Sequence, residues 1–402
     1  MIRAHKIRLH PTPAQAIYFR KAAGTAQFVY NWALARWRQH KTEYPGEAYG
    51  VMALKREFNA IKHAQFPWVF EVTKSICEGA FTNYYNCKDG KYKGATVGFP
   101  RFKSKKRGTQ SFGLANDRFE VHGHWIRIPK LGRVNMAEPL RFTGKIMGAV
   151  VSCTAEKWYA SISVEVEKPM PVLFAKASVG VDVGVKTLAT LSDGRQYENQ
   201  ALLRRELNKL RHLSRPLSRR QQGSQRWWWA KWQLARFHER IRNRRMDAIH
   251  KMTHEIASTY RIIGVEDIHV KGMAKNHRLA RSIADAAMGE VLRQLAYKCA
   301  WFGGVLQQVG RYFPSSKTCS ACGTVNRDVT LANRTWVCTD CGTVHERDAN
   351  ASLNIEQEAL RLLGVSSASR PAVATSGVIA RGQDVRPALQ ATLVEANTFT
   401  YL

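Results

Sequence analysis

The stretch ASVGVDVGVKTLATLSDGRQ, residues 177–196, places a single carboxylate, Asp182, inside an apolar run. Valines at every second position share one face of a predicted strand, and the opposite face carries Gly180, Asp182 and Gly184. A second apolar run at 187–191 is followed by turn residues, so the pair predicts a β-hairpin. The glycines leave room for a metal ion or a nucleic-acid backbone to approach the carboxylate. The alternative interpretation is that Asp182 is simply a polar residue at a β-bulge or at the edge of a sheet.

The chain is strongly basic. Its 402 residues include 62 Lys and Arg against 31 Asp and Glu, which gives a formal net charge of +31 and an isoelectric point near 10.1. This excess is costly in self-repulsion unless a polyanion neutralises it, so the composition predicts a nucleic-acid partner. No apolar run reaches membrane-spanning length and none follows the basic N-terminus, so we predict neither a membrane partner nor secretion.

The first half, residues 1–168, is predicted to be an antiparallel β-domain. Residues 1–10 alternate like a strand, and helical segments occupy about 12–92. Short alternating runs return after a basic, turn-rich segment at 97–113. Because the first strand can pair with the later ones, the helices would be an insertion into that sheet. In this turn-rich segment the predicted nucleic-acid contacts are Lys103, Lys105 and Lys106.

The second half, residues 172–363, mixes strands with helices, and a disordered tail is predicted for 364–402. Within it, 201–258 is predicted to be a basic helical hairpin that contains three consecutive tryptophans. Apolar residues at 3/4 spacing give it one packed face. A separate row at i, i+4 spacing consists of Arg236, Arg240 and Arg244. This row is either a solvated face or a nucleic-acid contact, and the charge imbalance beside tryptophans favours the contact. Residues 283–302 are predicted to form an amphipathic helix.

Four of the eight cysteines form two CxxC pairs. Cys319-x2-Cys322 and Cys338-x2-Cys341 are separated by 15 residues, a spacing typical of a closed four-thiolate zinc site with a structural role. Gly323 and Gly342 follow each pair and suit tight turns. The others are scattered and indicate small buried residues or reduced thiols, hence a cytosolic location: Cys77, Cys87, Cys153 and Cys299.

Three carboxylates are candidates for catalysis. Asp182 lies in the first strand, Glu266 ends the apolar strand IIGVE, and Asp348 begins a helix within HERDANASLN. Each has another reading, since Asp348 could be a helix N-cap and Glu266 a polar strand end. Together, from adjacent strands and a facing helix, they could hold two Mg²⁺ ions ~4 Å apart for phosphodiester hydrolysis. No GxxxxGK[ST] loop is present, so no nucleotide cofactor is predicted.

The sequence resembles the TnpB family. The resemblance is carried by four segments, in this order: VGVDVGVKTLATLSDG (179–194), IIGVEDI (262–268), YFPSSKTCSACG (312–323) and WVCTDCGTVHERDANASLNI (336–355). It extends to the N-terminal half through AQFVYNWALA and GFPRFKSKK, so it covers nearly the whole chain. TnpB proteins are RNA-guided DNA endonucleases carried by insertion sequences and related to the CRISPR effectors whose only nuclease domain is RuvC.

The resemblance implies an α/β RNase-H-like (RuvC) nuclease domain with an inserted zinc ribbon at about 314–345. Asp182, Glu266 and Asp348 would be its Mg²⁺-binding triad. An antiparallel β-barrel "wedge" domain with a helical recognition insertion would precede it. The implied partners are a guide RNA from the transposon end and double-stranded target DNA beside a short flanking motif, in the cytoplasm at the nucleoid. Lys74 falls where the family reads that motif.

Two other functions remain open on this scaffold. A nuclease-silent RNA-guided DNA-binding regulator would be expected to lack part of the acidic triad, whereas all three positions are acidic here. An RNase-H-like transposase would use the same carboxylates to join DNA strands. Cleavage without joining, directed by a supplied RNA, distinguishes the endonuclease from both.

Overall fold

The computed structural model describes residues 1–88, 100–104, 109–167, 173–330 and 333–365. The predicted tail from residue 366 onward, and the basic residues Lys105 and Lys106, lie outside this part of the chain. The described residues divide into two compact units, one that ends at Glu167 and one that follows it.

The first unit is an antiparallel sheet interrupted by helices after its first strand. Its helices and strands are β1 (Ile2–His10), α1 (Pro13–Glu43), α2 (Val51–Gln65), α3 (Ser75–Lys88), β2 (Ser111–Ala115), β3 (Glu120–His122), β4 (Trp125–Ile128), β5 (Gly132–Met136), β6 (Lys145–Thr154) and β7 (Lys157–Glu165). The sheet order is β2-β6-β7-β1-β5-β4-β3. Among the described residues no pairing joins the two end strands.

The first strand belongs to the later sheet, as predicted from its alternation. β1 pairs with β7 from Ile2 opposite Glu165 to Leu9 opposite Trp158, so α1, α2 and α3 are an insertion after it. The hydroxyl of Thr12 caps α1 by accepting from the backbone amide of Gln15, and the side-chain oxygen of Gln15 accepts from the backbone amide of Thr12. The helix packs on the sheet through Phe19, which contacts Trp158 with the ring centroids 5.0 Å apart.

The second unit has a mixed sheet with helices and a small two-stranded ribbon. Its helices and strands are β8 (Lys176–Asp182), β9 (Thr187–Leu191), β10 (Gln196–Glu198), α4 (Leu202–Arg205), α5 (Leu207–Arg219), α6 (Gln225–Thr259), β11 (Tyr260–Glu266), α7 (Val270–Met273), α8 (Ala280–Ala286), α9 (Met288–Phe302), β12 (Val305–Val309), β13 (Thr335–Val337), β14 (Val344–Glu346) and α10 (Arg347–Leu362). The larger sheet has the order β10-β9-β8-β11-β12.

The central strands of this sheet combine both kinds of pairing. β8 pairs antiparallel with β9, which confirms the predicted hairpin, and parallel with β11. β11 also pairs parallel with β12. The predicted amphipathic helix 283–302 is wrong as a single helix, because Ala287 has a left-handed backbone (φ 51°) and separates α8 from α9.

A pair of glycines lets α10 lie directly on the sheet. Gly180 of β8 is opposite Gly264 of β11 in the parallel register. A Cβ at Gly180 would lie 1.9 Å from the carbonyl oxygen of Ser352 in α10, and a Cβ at Gly264 would lie 2.9 Å from that of Ile355. The explanation offered from sequence for Gly180, room for a metal or a nucleic acid, is therefore wrong, because helix backbone fills that space.

Gly180→Ala is expected to lower the free energy of unfolding of the second unit by about 3 kcal/mol, because the obstructing atom is backbone and cannot rotate away. Displacement of α10 should also reduce any activity that needs Asp348. Gly113→Ala is the matched control, since Gly113 is also a strand glycine but nothing lies within 4 Å of its Cβ position. Equal thermal unfolding of the two variants would contradict this account of the sheet.

Candidate functional site

The three candidate carboxylates meet at one end of the larger sheet of the second unit. Asp182 and Glu266 are the last residues of β8 and β11. The register that pairs Val181 with Val265 places Glu266 beside Asp182. Both strands run in the same direction, so their carboxyl ends lie at the same edge. Asp182 thus ends its strand instead of lying inside it.

The close approach of α10 brings the third carboxylate to this edge. Ser352 lies over Gly180. The helix runs antiparallel to β8, because Ser178 donates to Glu356, one turn beyond Ser352. From Ser352, Asp348 is therefore one turn back along α10, about 6 Å, and Asp182 is two residues onward along β8 from Gly180, about 7 Å. Asp348 therefore lies at the level of Asp182. It is the second residue of the helix, whose N-cap is Glu346, so the N-cap reading of Asp348 is excluded.

The electrostatics of the cluster identify a site that favours a cation. Burial, together with the charges of Glu266 and then Asp348, raises the pKa of Asp182 to about 7. A bound cation would offset the repulsion that the two neighbouring charges exert on Asp182. Their oxygens suit Mg²⁺.

Two of the carboxylates already have protein partners. Asp348 accepts from Arg334 at 2.9 Å on one oxygen and from Arg347 at 2.9 Å on the other. Glu266 accepts a hydrogen bond from the hydroxyl of Ser315, which is 5% exposed. Arg347 donates to Oδ1 of Asp348 through two nitrogen atoms, whereas Oδ2 accepts, among the described residues, only from Arg334. Since each carboxylate oxygen has two lone pairs, Oδ2 of Asp348 and both oxygens of Glu266 retain room for a metal bond. The sequence interpretation did not single out Arg334, Arg347 or Ser315, since a single serine or arginine carries no periodic signal.

The four CxxC cysteines form the second centre, as predicted from their spacing. Their sulfur atoms all lie within 4.8 Å of one another, and two of the pairs, Cys319 with Cys341 and Cys322 with Cys338, are 3.6 Å apart. A tetrahedron with Zn–S bonds of about 2.3 Å has edges of about 3.8 Å, so the thiolates fit zinc. Among the described residues no other group of three His, Cys, Asp or Glu is gathered so tightly.

Each of the two CxxC pairs is followed by a tight turn with a glycine. Gly323 and Gly342 have φ of +81° and +66°, the left-handed region that the tight turns require. His345, 7% exposed, places its Nε2 3.0 Å from the sulfur of Cys319. A histidine beside a thiolate orients the ligand, as outer partners of metal sites do.

The candidate nucleic-acid residues lie on the surfaces of their own units. In the second unit, Arg236, Arg240 and Arg244 are exposed on α6. In the first unit, Lys74 is 72% exposed at its side chain and lies 3.6 Å from Glu78. Lys103 is half-buried, with its ammonium 4.1 Å from the centre of the Tyr30 ring.

The apolar face of α6 packs on α5 through Phe237 and Ile241, as its 3/4 spacing predicted. Trp228 and Trp229 lie outside this face. Each is 56% exposed, and the ammonium of Lys231 lies 4.8 Å from the Trp228 ring. No helix in the described part of the chain is long and apolar enough to cross a membrane.

Fold and site together define a mixed α/β protein with a carboxylate cluster at a sheet edge and a four-cysteine ribbon inserted beside it. Two family models match this part of the chain one after the other. Residues 161–277 match the OrfB_IS605 model, described as "Probable transposase", and 289–355 match the "Cas12f1-like, TNB domain" model. Residues 1–43 match a model described as a helix-turn-helix domain, although this segment consists of β1 and α1.

The chain belongs to the TnpB family. It is 32% identical to a protein of Streptomyces pristinaespiralis over 92% of each chain. It is 30% identical to InsQ of Escherichia coli K12 over 88% of this chain and 91% of that one. Both relatives are named "Putative RNA-guided DNA endonuclease". The chain also matches the protein in a cryo-EM structure of a Cas12f1-sgRNA-target DNA complex (TM-score 0.52, 17% identity, 86% of this chain and 83% of that one), a likeness of fold.

Proposed function

We propose that this chain is an RNA-guided DNA endonuclease of an insertion sequence, with an RNase-H-like, RuvC-type centre formed by Asp182, Glu266 and Asp348. The observation that carries the proposal is the approach of α10 over Gly180 and Gly264, which brings the third carboxylate to the strand ends that carry the other two. We infer the two partners, a guide RNA and a DNA target, from the names of the relatives.

The three carboxylates fit two Mg²⁺ ions as cofactors. When bound, the ions would activate a water molecule and stabilise the leaving oxygen during hydrolysis. Burial and the charges of its two neighbours raise the pKa of Asp182, and bound cations would favour its ionised form. Arg334 and Arg347 hold Asp348 in place and add positive charge where a DNA phosphate would enter.

One Zn²⁺ held by Cys319, Cys322, Cys338 and Cys341 would have a structural role, because four thiolates close the coordination sphere. In domain terms, 1–168 would be the wedge domain with its helical recognition insertion at about 12–92. Residues 172–363 would be the nuclease domain with its hairpin at about 201–258 and its ribbon at about 314–345. Such a protein would act in the cytoplasm, at the nucleoid.

The exposed basic residues would neutralise nucleic-acid backbone while RNA–DNA pairing supplies sequence specificity. On this proposal Arg236, Arg240, Arg244 and Lys103 contact nucleic-acid backbone, and Lys74 contacts the target DNA. This use of the surface accounts for the net charge of +31.

The proposal is tested by purifying the protein after expression with its native flanking DNA and sequencing the RNA that accompanies it. One discrete RNA that ends in sequence from beyond the element is expected, and reprogramming its end should redirect cleavage. Unrelated RNA, or cleavage that ignores the supplied guide, would contradict guidance. Joining of the cut ends would identify a transposase, and guided binding without cleavage would identify a regulator.

A further inference from the structure

Residues 314–320, which we call the connecting turn, link β12 to the first cysteine pair and contact two other parts of the second unit. The turn is tightly folded, because the amides of Lys317 and Thr318 both donate to the carbonyl of Pro314, at 3.0 and 2.9 Å. Its last residues enter the cysteine cluster at Cys319. Whatever holds this turn therefore also holds the base of the ribbon.

Two buried asparagines of α10 hold the connecting turn. Asn350 and Asn354, each 2% exposed, lie one turn apart on the same face of the helix. The amide nitrogen of Asn354 donates to the carbonyls of Ser315 and Thr318 at 2.7 and 2.6 Å. That of Asn350 donates to Thr318 at 2.7 Å, while its oxygen accepts from the amide of Ser320 at 3.0 Å.

The opposite contact of the connecting turn reaches the carboxylate centre. The hydroxyl of Ser315, a buried group, donates to Oε1 of Glu266 at the end of β11. Glu266 has three rotatable side-chain bonds, and this hydrogen bond limits its orientations. Asn350 is only two residues from Asp348, so one backbone segment fixes both the orientation of Glu266 and the position of the helix that carries Asp348.

We propose that Ser315 is a positioning residue of the carboxylate centre, which holds Glu266 in its metal-binding orientation and links it through the connecting turn to α10. This inference rests on the proposed function, because it assumes that Glu266 binds a divalent cation. The hydroxyl of Ser315 is committed to Glu266. It acts through the Glu266 carboxylate, as outer partners of metal ligands do, and loss of such partners typically costs about 10–100-fold in metal affinity or activity.

The test measures cation binding apart from turnover in Ser315→Ala. Mn²⁺ binding to the full-length, RNA-free chain is followed by electron paramagnetic resonance, with Asp182→Asn defining non-specific binding. The Mg²⁺ dependence of cleavage is measured with the RNA complex. We expect the Mn²⁺ dissociation constant and the half-saturating Mg²⁺ concentration to rise about 10-fold or more. The rate at saturating Mg²⁺ should change much less, because the three carboxylates remain.

The neighbouring serine provides the matched control. Ser316→Ala removes the same atom from the next residue of the connecting turn, and it should leave both cation measurements and the melting temperature unchanged. If Ser315→Ala binds Mn²⁺ as tightly as Ser316→Ala does, the positioning role is overturned while the nuclease proposal stands. If the unsubstituted chain binds no more Mn²⁺ than Asp182→Asn and does not cleave DNA, the metal centre itself is overturned, and this inference with it.

Discussion

Asp182→Asn, Glu266→Gln and Asp348→Asn are each expected to reduce guided DNA cleavage to background while guide-RNA binding is retained. Each change removes one negative charge from a cluster whose members lie at two strand ends and one helix start, so the fold is kept while cation affinity is lost. Asp182→Asn should also relieve the repulsion that raises its pKa, and so it should not lower the melting temperature. Cleavage of a labelled target at saturating guide, with RNA binding measured in parallel, checks these outcomes.

Asp267→Asn is the matched control for the acidic residues. Asp267 directly follows Glu266, yet its carboxylate is 44% exposed and pairs with Arg311 at 2.6 Å outside the cluster. Because exposed ion pairs contribute little stability, we expect nearly full activity from this variant. Loss of RNA binding in all three cluster variants, or equal loss of cleavage in Asp267→Asn, would contradict the assignment of the triad.

Cys319→Ser is expected to abolish stoichiometric zinc binding and to unfold the ribbon. In zinc-finger peptides the metal contributes apparent free energies of about 10–16 kcal/mol, comparable with the whole stability of a domain. The connecting turn contains this cysteine near its end and contacts Asn350 and Asn354, so cleavage should fall as well. Metal analysis of the purified chain and its melting temperature check the prediction.

Cys77→Ser is the control, since Cys77 lies in α3 of the first unit and outside the cluster. This variant should keep one zinc per chain. A Cys319→Ser protein that retains one zinc and the original melting curve would show that the four sulfurs do not form the predicted centre.

Several features were accessible from sequence because their signals are local. Two-residue alternation predicted β8, a short apolar run before turn residues predicted β9, and CxxC spacing predicted the sulfur cluster. The acidic triad was identified in the same way, from strand ends, a helix start and a resemblance in motif order. The break at Ala287 was missed, because an alanine gives no warning of a left-handed backbone.

The sequence by itself determined the basic character of the chain, the antiparallel first unit with its first strand included, the four-cysteine centre and the identity of the three carboxylates. Only the tertiary structure revealed why these carboxylates meet. Gly180 and Gly264 are neighbours on two parallel strands, and because they have no side chains, α10 packs directly on the sheet and brings Asp348 to the strand ends. The tertiary structure also revealed the bond from Ser315 to Glu266 and the arginines on Asp348. Contacts between residues far apart in the chain depend on strand register and helix placement, and no short-range pattern encodes those.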